Sequence, residues 1–120
     1  MRRYLFRGRN MALIVKKFGG SSVATTEKIM NVAKRVLSEK QPGDQIVMVV
    51  SAMGDTTDDL ITLANGITKD PYQYAREMDM LLTTGEQVSI ALLAMAFKSL
   101  GQPAISLTGP MAGMRTDSVH

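Results

Sequence analysis

The sequence predicts an α/β fold with a mostly parallel sheet, because short apolar runs alternate with segments of helical period. The first run, over residues 13–18, is closed by two glycines, which is typical of a strand. Residues 26–40 then repeat apolar side chains at the spacing of one helix face, after threonines suited to an N-cap. The run at 46–50 is apolar without alternation, as in a parallel strand covered by helices on both faces. Strand, helix and strand together make one right-handed βαβ unit.

Further elements are predicted beyond this unit. Helices over residues 58–67 and 74–83 are separated by a turn that contains Pro71. Gly85 then precedes another, nearly all-apolar helix that ends at the sequence GQP, and a short third strand is predicted at 104–107. Three strands are few for a sheet, and the last one would have an open edge. We therefore interpret the chain as the first half of a larger domain.

The residue totals exclude several classes of site. The chain has 120 residues, which suits one domain, and it contains no cysteine and a single histidine, His120. This composition excludes a disulfide framework, a thiolate zinc site, a cysteine nucleophile and a multi-histidine metal site. No uninterrupted apolar run approaches the roughly 18 residues of a membrane span, so we expect a cytoplasmic protein without a membrane partner.

The basic residues are unevenly distributed. Four of the fourteen lie in the first ten positions, and the remaining ten are balanced by eleven acidic residues. With only three tyrosines and three phenylalanines for base stacking, we expect no nucleic-acid partner. Residues 1–10 are interpreted as a basic N-terminal extension before a natural start at Met11, and residues 11–120 as part of a catalytic domain. An organelle transit peptide is the alternative for the extension, although it contains no serine.

The stretch VKKFGGSSVA, residues 15–24, brings cations, glycines and hydroxyls to the junction of the first strand and helix. Ligands of open α/β sheets bind at the carboxyl ends of strands, where Lys17 lies. Gly19 and Gly20 can expose backbone N–H groups there, and the N-terminus of the next helix adds partial positive charge. These features suit a polyphosphate, but taken alone a plain turn with a solvated lysine is the better explanation. The spacing matches neither the P-loop nor the G-x-G-x-x-G motif.

A second polar loop, SAMGDTTDDL at residues 51–60, follows the second strand at the same edge of the sheet. Ser51 and Thr57 offer hydroxyl groups, and Gly54 allows the backbone to approach a ligand. The aspartates of this loop could be metal ligands, but we favour first-turn residues of a helix.

A third stretch, LLTTGEQVSIALL, places Glu86 at the predicted start of an otherwise apolar helix. A carboxylate is stabilised at a helix N-terminus, and it could also bind the ammonium group of a small substrate. For Glu86 alone, helix capping is favoured.

Together, KFGGSSV, VVSAMGDTTDDL, REMDMLLTTGEQVS and the closing GPMAGMRTDSVH occur in the order and spacing of aspartate kinases. Over residues 11–120 the sequence resembles the N-terminal part of that family in its bacterial lysine-pathway form. Ser21 stands where the family usually has threonine, and the hydroxyl is kept. The resemblance implies the amino-acid-kinase fold, an αβα sandwich around a mainly parallel sheet, of which this chain would be the N-terminal part.

The resemblance also implies an activity. The enzyme would transfer the γ-phosphoryl group of Mg-ATP to the β-carboxylate of L-aspartate, giving 4-phospho-L-aspartate on the route to lysine, threonine and methionine. Mg-ATP would be the co-substrate, and the protein itself would bind no metal. Lys17 would be the catalytic residue. By matching motif positions, ATP would be bound by Lys17, Phe18, Gly19, Gly20 and Ser51. Aspartate would be bound by Ser51, Thr57 and Glu86.

The same resemblance implies further segments beyond His120, including most of the adenine pocket, a catalytic aspartate, a substrate arginine and regulatory domains. We therefore expect the 120 residues alone to lack kinase activity, and the complete protein to be a homo- or hetero-oligomer. Another amino-acid kinase, acting on glutamate, acetylglutamate or carbamate, is one alternative, and a non-catalytic truncated product is another. Within the glycine stretch, Lys16 and Val23 are expected to be structural.

Overall fold

The computed structural model describes residues 1–8 and 11–108, and its strands form one three-stranded sheet in the order β1-β2-β3. The strands are β1 (Arg2–Gly8), β2 (Met11–Phe18) and β3 (Gln45–Val50). β2 and β3 run parallel, whereas β1 pairs antiparallel with β2. The sheet is therefore mixed, and its parallel part is the predicted strand–helix–strand unit.

Three helices accompany the sheet in the described part of the chain: α1 (Thr26–Glu39), α2 (Thr56–Asn65) and α3 (Ala75–Ser99). Short 3-10 turns precede two of them, at Gly20–Val23 and Pro71–Tyr74. α1 packs against α3 and against the first 3-10 turn, and α2 also packs against α3. The predicted α/β class is confirmed.

The beginning and end of α1 follow from its sequence. The Thr25 hydroxyl accepts a hydrogen bond from the backbone N–H of Lys28 at 3.1 Å, which caps the first turn, and Glu27 lies where the helix dipole favours an acid. Beyond the helix, Gly43 adopts a positive φ of 86°, which glycine accepts readily. The apolar face of α1 is buried against α3 and the sheet. Its buried members are Ile29, Val32, Ala33 and Val36.

The two faces of the sheet differ in what covers them. On one face, alternate side chains of β2 and β3 contribute Phe18 and Val50 to the core, where they pack with α1 and α3. On the opposite face Leu13, Val47 and Val49 are exposed in the described part of the chain. Because parallel sheets normally carry helices on both faces, this is the arrangement of a partial domain.

Two element predictions were wrong. The helices predicted on either side of Gly85 form the single helix α3, because Gly85 is buried inside it rather than ending it. The strand predicted at 104–107 is absent from the described residues, in which 102–108 have no regular structure. A strand requires a neighbouring strand for its backbone N–H and C=O groups, and none lies beside this segment in the described sheet.

The basic leader supplies β1. Its register places Arg2 opposite Lys17 and Gly8 opposite Met11, so the leader forms an antiparallel edge strand along β2 from Met11 to Lys17. Sequence alone did not predict this pairing. The assignment of residues 1–10 as an extension outside the domain stays a prediction.

Helix α3 and its preceding turn, Pro71–Ser99, are long and apolar enough to cross a membrane by length and composition. This criterion uses the mean hydropathy of a window, which tolerates interspersed polar residues, so the segment meets it without an uninterrupted apolar run. A single such helix is weak evidence, since core helices of soluble proteins meet the same criterion. In the structure α3 packs against α1 and α2.

An ion pair between a buried lysine and an exposed glutamate joins β2 to the end of α1. The ammonium group of Lys16 donates to Glu39 Oε2 at 2.7 Å, and Lys16 is only 1% exposed, whereas 40% of the Glu39 side chain is accessible. Hydrogen bonds from Lys16 and then Arg35 hold the pKa of Glu39 below its ordinary value of 4.5. Lys16 and Val23 are thus both interior residues, which confirms their predicted structural role.

This pair predicts an asymmetric response to substitution in the full-length protein, meaning the longest natural product that contains this sequence. Glu39→Gln should lower the melting temperature, because it leaves the Lys16 ammonium buried without a carboxylate. Lys16→Met should leave the melting temperature unchanged or raise it, since an apolar side chain then fills the same space and Glu39 remains hydrated. Equal losses in both variants would contradict the account.

The same pair predicts a pH dependence. Because the pKa of Glu39 is lower in the folded state, its contribution to stability is present at neutral pH and is lost as the pH falls below about 4.5. The difference in melting temperature between the wild type and Glu39→Gln should therefore shrink between pH 6 and pH 3. A difference that stays constant over this range would rule out the ion pair as its cause.

Candidate functional site

The site lies at the edge of the sheet where the parallel strands β2 and β3 end together. Their register pairs Lys17 with Val49 and Phe18 with Val50. The backbone N–H of Ser51 continues this pairing by donating to the Phe18 carbonyl oxygen at 3.2 Å. The glycine stretch and the second polar loop therefore begin side by side, as the predicted topology required.

A second backbone hydrogen bond ties the two loops together. The N–H of Gly54 donates to the Gly20 carbonyl oxygen at 3.0 Å. A Cβ added at Gly20 would lie 2.7 Å from the carbonyl oxygen of Ala52, which is closer than real side chains approach. Gly20 is thus required by the close contact between the loops. Beside Gly19, by contrast, an added Cβ would meet nothing within 4 Å, so this glycine borders open space.

Helix α3 brings the third motif to the same place. Gly85 faces Ala52 and the start of α2, and a Cβ added to it would lie 3.0 Å from Ala52 Cβ and 3.2 Å from Thr56 Cγ2. Ala52 is buried between Gly20 on one side and Gly85 on the other. All three motifs therefore meet at one small residue, Ala52, through its carbonyl oxygen on one side and its methyl group on the other.

The position of Glu86 corrects its sequence-based interpretation. Glu86 lies well inside α3, which begins at Ala75, so it is not a first-turn residue and the helix dipole does not account for it. Its side chain is exposed, and it makes no side-chain hydrogen bond or ion pair with the described residues. The favoured capping explanation was therefore wrong, and a carboxylate next to the Gly85 contact is available for a ligand.

The other predicted residues differ in what they can offer. Lys17 is exposed on the uncovered face of the sheet, and Ser51 and Thr57 flank the turn that leads into α2. Phe18, however, is only 3% exposed and its ring belongs to the core. Any contact of Phe18 with ATP must therefore come from its main chain.

Two of the acidic loop residues lie in the first turn of a helix, as predicted. Asp58 and Asp59 lie in the first turn of α2, where acids favour the helix. Across residues 1–8 and 11–108, no group of three histidine, cysteine or acidic side chains is placed to hold a metal ion.

Sequence reasoning missed three contributors to the site. Ala52 and Gly85 make the contact between loop and helix, and Lys28 donates to the Ser21 carbonyl oxygen at 3.2 Å, which brings a cation beside the glycine turn. The sequence signal for Lys28 is its place in the first turn of α1, from which a long side chain can reach the preceding loop. The sequence also predicted that the N-terminus of α1 lies directly behind the glycines. This was wrong, because a 3-10 turn that starts at Gly20 separates the glycines from α1.

Comparison of the chain with known proteins identifies its family. The model of the amino acid kinase family matches residues 12–119. The chain belongs to this family. Its relatives include aspartokinase 2 of Bacillus subtilis (strain 168), which is 56% identical over 110 residues, or 92% of this chain and 26% of the relative. The aspartokinase of Bacillus sp. (strain MGA3) is 59% identical over 109 residues, or 91% of this chain and 26% of the relative.

A solved member of the amino acid kinase family has the same architecture. The crystal structure of aspartate kinase from Synechocystis superposes with a TM-score of 0.75 at 59% identity, over 81% of this chain and 16% of that chain. This similarity confirms the predicted fold. The chain spans about a quarter of the length of the curated relatives it matches. The closing motif GPMAGMRTDSVH, residues 109–120, lies outside the described residues.

Proposed function

We propose that the full-length protein is an aspartate kinase, which transfers the γ-phosphoryl group of ATP to the β-carboxylate of L-aspartate. The observation that carries the proposal is the meeting of three motifs at Ala52, where the glycine turn, the Ser51 loop and Gly85, the residue before Glu86, lie together. The aspartokinase relatives, which share more than half of their residues with this chain over the matched segment, support the choice of substrate.

In this proposal the glycine turn binds the phosphates. Phosphoryl transfer depends mainly on positioning and on neutralising charge, because the protein takes little covalent part in it. Lys17 would offset the charge that builds on the transferred oxygens, and the N–H groups of Gly19 and Gly20 would hydrogen-bond to phosphate. Gly19 suits this role because the space beside it is open.

The remaining residues would hold aspartate. Glu86 would accept hydrogen bonds from the ammonium group, and the hydroxyls of Ser51 and Thr57 would lie where the two substrates meet. A carboxylate oxygen of aspartate attacks the γ-phosphorus, the bond to the bridging oxygen breaks, and ADP leaves with that electron pair. No general base is needed, since the ordinary pKa of an aspartate side chain, about 3.9, leaves it ionised at neutral pH.

The wider context is also part of the proposal. The product would enter the routes to lysine, threonine and methionine, in the cytoplasm, and the enzyme would be a homo- or hetero-oligomer. The exposed apolar side chains on the uncovered sheet face are consistent with packing against a further part of the domain or a second subunit.

A substrate panel tests the function. The purified full-length protein should form ADP from ATP when L-aspartate is present, in an assay that couples ADP to NADH oxidation. Glutamate, acetylglutamate and carbamate serve as the competing acceptors. Preference for one of these would indicate another amino-acid kinase, and no turnover with any of them would indicate a non-catalytic product.

The 120 residues alone should be inactive. They correspond to about a quarter of each matched relative, and one sheet face is uncovered in the described residues, so much of a complete site is missing from them. The same coupled assay, with the isolated segment at micromolar concentration, should show no ADP formation above the rate without aspartate. Aspartate-dependent ADP formation by the segment would overturn this expectation.

A further inference from the structure

The contact between Gly85 and Ala52 has a bearing on how Glu86 is positioned. Glycine is the least favourable residue other than proline inside a helix, yet Gly85 lies buried within the 25-residue helix α3. Its surroundings explain the choice, because an added Cβ would meet Ala52 Cβ at 3.0 Å and Thr56 Cγ2 at 3.2 Å. The absent side chain thus allows α3 to lie directly against the loop that follows β3.

We propose that Gly85 is a positioning residue that sets how closely the helix carrying Glu86 packs against the loop carrying Ser51. Glu86 follows Gly85 directly on the same rigid helix, so any displacement of α3 at Gly85 moves the Glu86 carboxylate with it. The inference rests on the proposed function, since it assumes that Glu86 binds the ammonium group of aspartate.

The loop is held in place from its far side, so that a larger residue at position 85 must move the helix. Ser51 and Gly54 donate backbone hydrogen bonds to Phe18 and Gly20, at 3.2 and 3.0 Å. The Ala52 carbonyl oxygen lies so close to Gly20 that not even a Cβ fits between them. Ala52 therefore cannot shift towards the glycine turn, and the phosphate side of the site keeps its geometry.

The expected signature is a selective loss of aspartate affinity. In the full-length protein, the Cβ of Gly85→Ala requires its neighbours to move by a few tenths of an ångström, and Gly85→Val requires a larger shift. A misplacement of 1 Å can cost on the order of 100-fold, so Gly85→Ala should raise the KM for aspartate about threefold and Gly85→Val about tenfold or more. The KM for ATP should change less than about twofold, because the phosphate side of the site keeps its geometry. Calorimetric titration with aspartate alone should show the same weakening without any turnover. The melting temperature should change little in Gly85→Ala, because the gain in helix propensity opposes the crowding against Ala52.

Ala52→Gly provides the decisive rescue. It removes the methyl group nearest to the added Cβ, so Gly85→Ala should weaken aspartate binding less in the Ala52→Gly background than in the wild type. Thr83→Ala, an exposed position on α3, is the matched control for helix propensity and should leave both KM values unchanged.

The outcomes separate this inference from the proposed function. Equal changes in the two KM values, no change in either, or the same loss with and without Ala52→Gly would each overturn the positioning role. If Gly85→Val fails to fold, the Gly85→Ala and Ala52→Gly pair still decides. A wild-type protein that does not phosphorylate aspartate would refute the proposed function instead.

Discussion

Lys17→Ala is expected to reduce the turnover of the full-length protein more than tenfold, which corresponds to a loss of more than about 1.4 kcal/mol of transition-state stabilisation. Lys17 lies on the exposed face at the end of β2, and its side chain makes no hydrogen bond or ion pair with the described residues. No polar contact of the fold in the described residues therefore depends on Lys17. The negative charge that develops on the transferred phosphoryl group, in contrast, would be stabilised by its ammonium group. The melting temperature should therefore stay unchanged while turnover falls.

A matched substitution controls for loss of charge alone. Lys34→Ala removes a lysine from the exposed side of α1 and should leave turnover close to that of the wild type. Steady-state rates at saturating ATP and aspartate decide the matter. If Lys17→Ala retained more than about a tenth of wild-type turnover, Lys17 would not be the phosphate-neutralising residue.

Glu86→Ala should weaken aspartate binding at least tenfold, or about 1.4 kcal/mol, and leave ATP binding nearly unchanged. The structure strengthens this expectation, because Glu86 lies inside α3 and helix capping does not account for it. Its carboxylate is free of side-chain partners among the described residues, so the substitution breaks no internal contact there. The effect should therefore be on the ligand rather than on the fold.

Binding measurements on each substrate separately test this second prediction. Isothermal titration of the full-length protein gives the Kd of aspartate and of ATP independently of turnover. Glu77→Ala removes a carboxylate from the first turn of the same helix and serves as the control, with both Kd values expected to match the wild type. Equal weakening of aspartate and ATP by Glu86→Ala would show that Glu86 acts through the structure of α3.

Much of the fold could be predicted because its signals are local. The apolar run of β2 with its glycines, the helical period of α1 with its threonine cap, and the continuous apolar run of β3 all agree with the structure. The parallel register then brings Lys17 and Ser51 to the same edge, as the alternation of strand and helix implies.

The errors arose where tertiary contacts decide local structure. The sequence predicted a break between helices at Gly85, because glycine has a weak helix propensity. The sequence does not show that Ala52 packs against this position and leaves little room for a side chain. The strand at 104–107 was predicted from its apolar pattern, which does not reveal whether another strand lies alongside. For the same reason the pairing of β1 with β2 was not anticipated.

The identity of the phosphorylated group is the most direct test of the whole account. The full-length protein should be incubated with ATP, L-aspartate and hydroxylamine, which converts an acyl phosphate into a stable hydroxamate, and the product should be identified by mass spectrometry and NMR. The account predicts the β-hydroxamate of aspartate, in an amount equal to the ADP released. ADP formation without a hydroxamate, or a hydroxamate on the α-carboxylate, would contradict it.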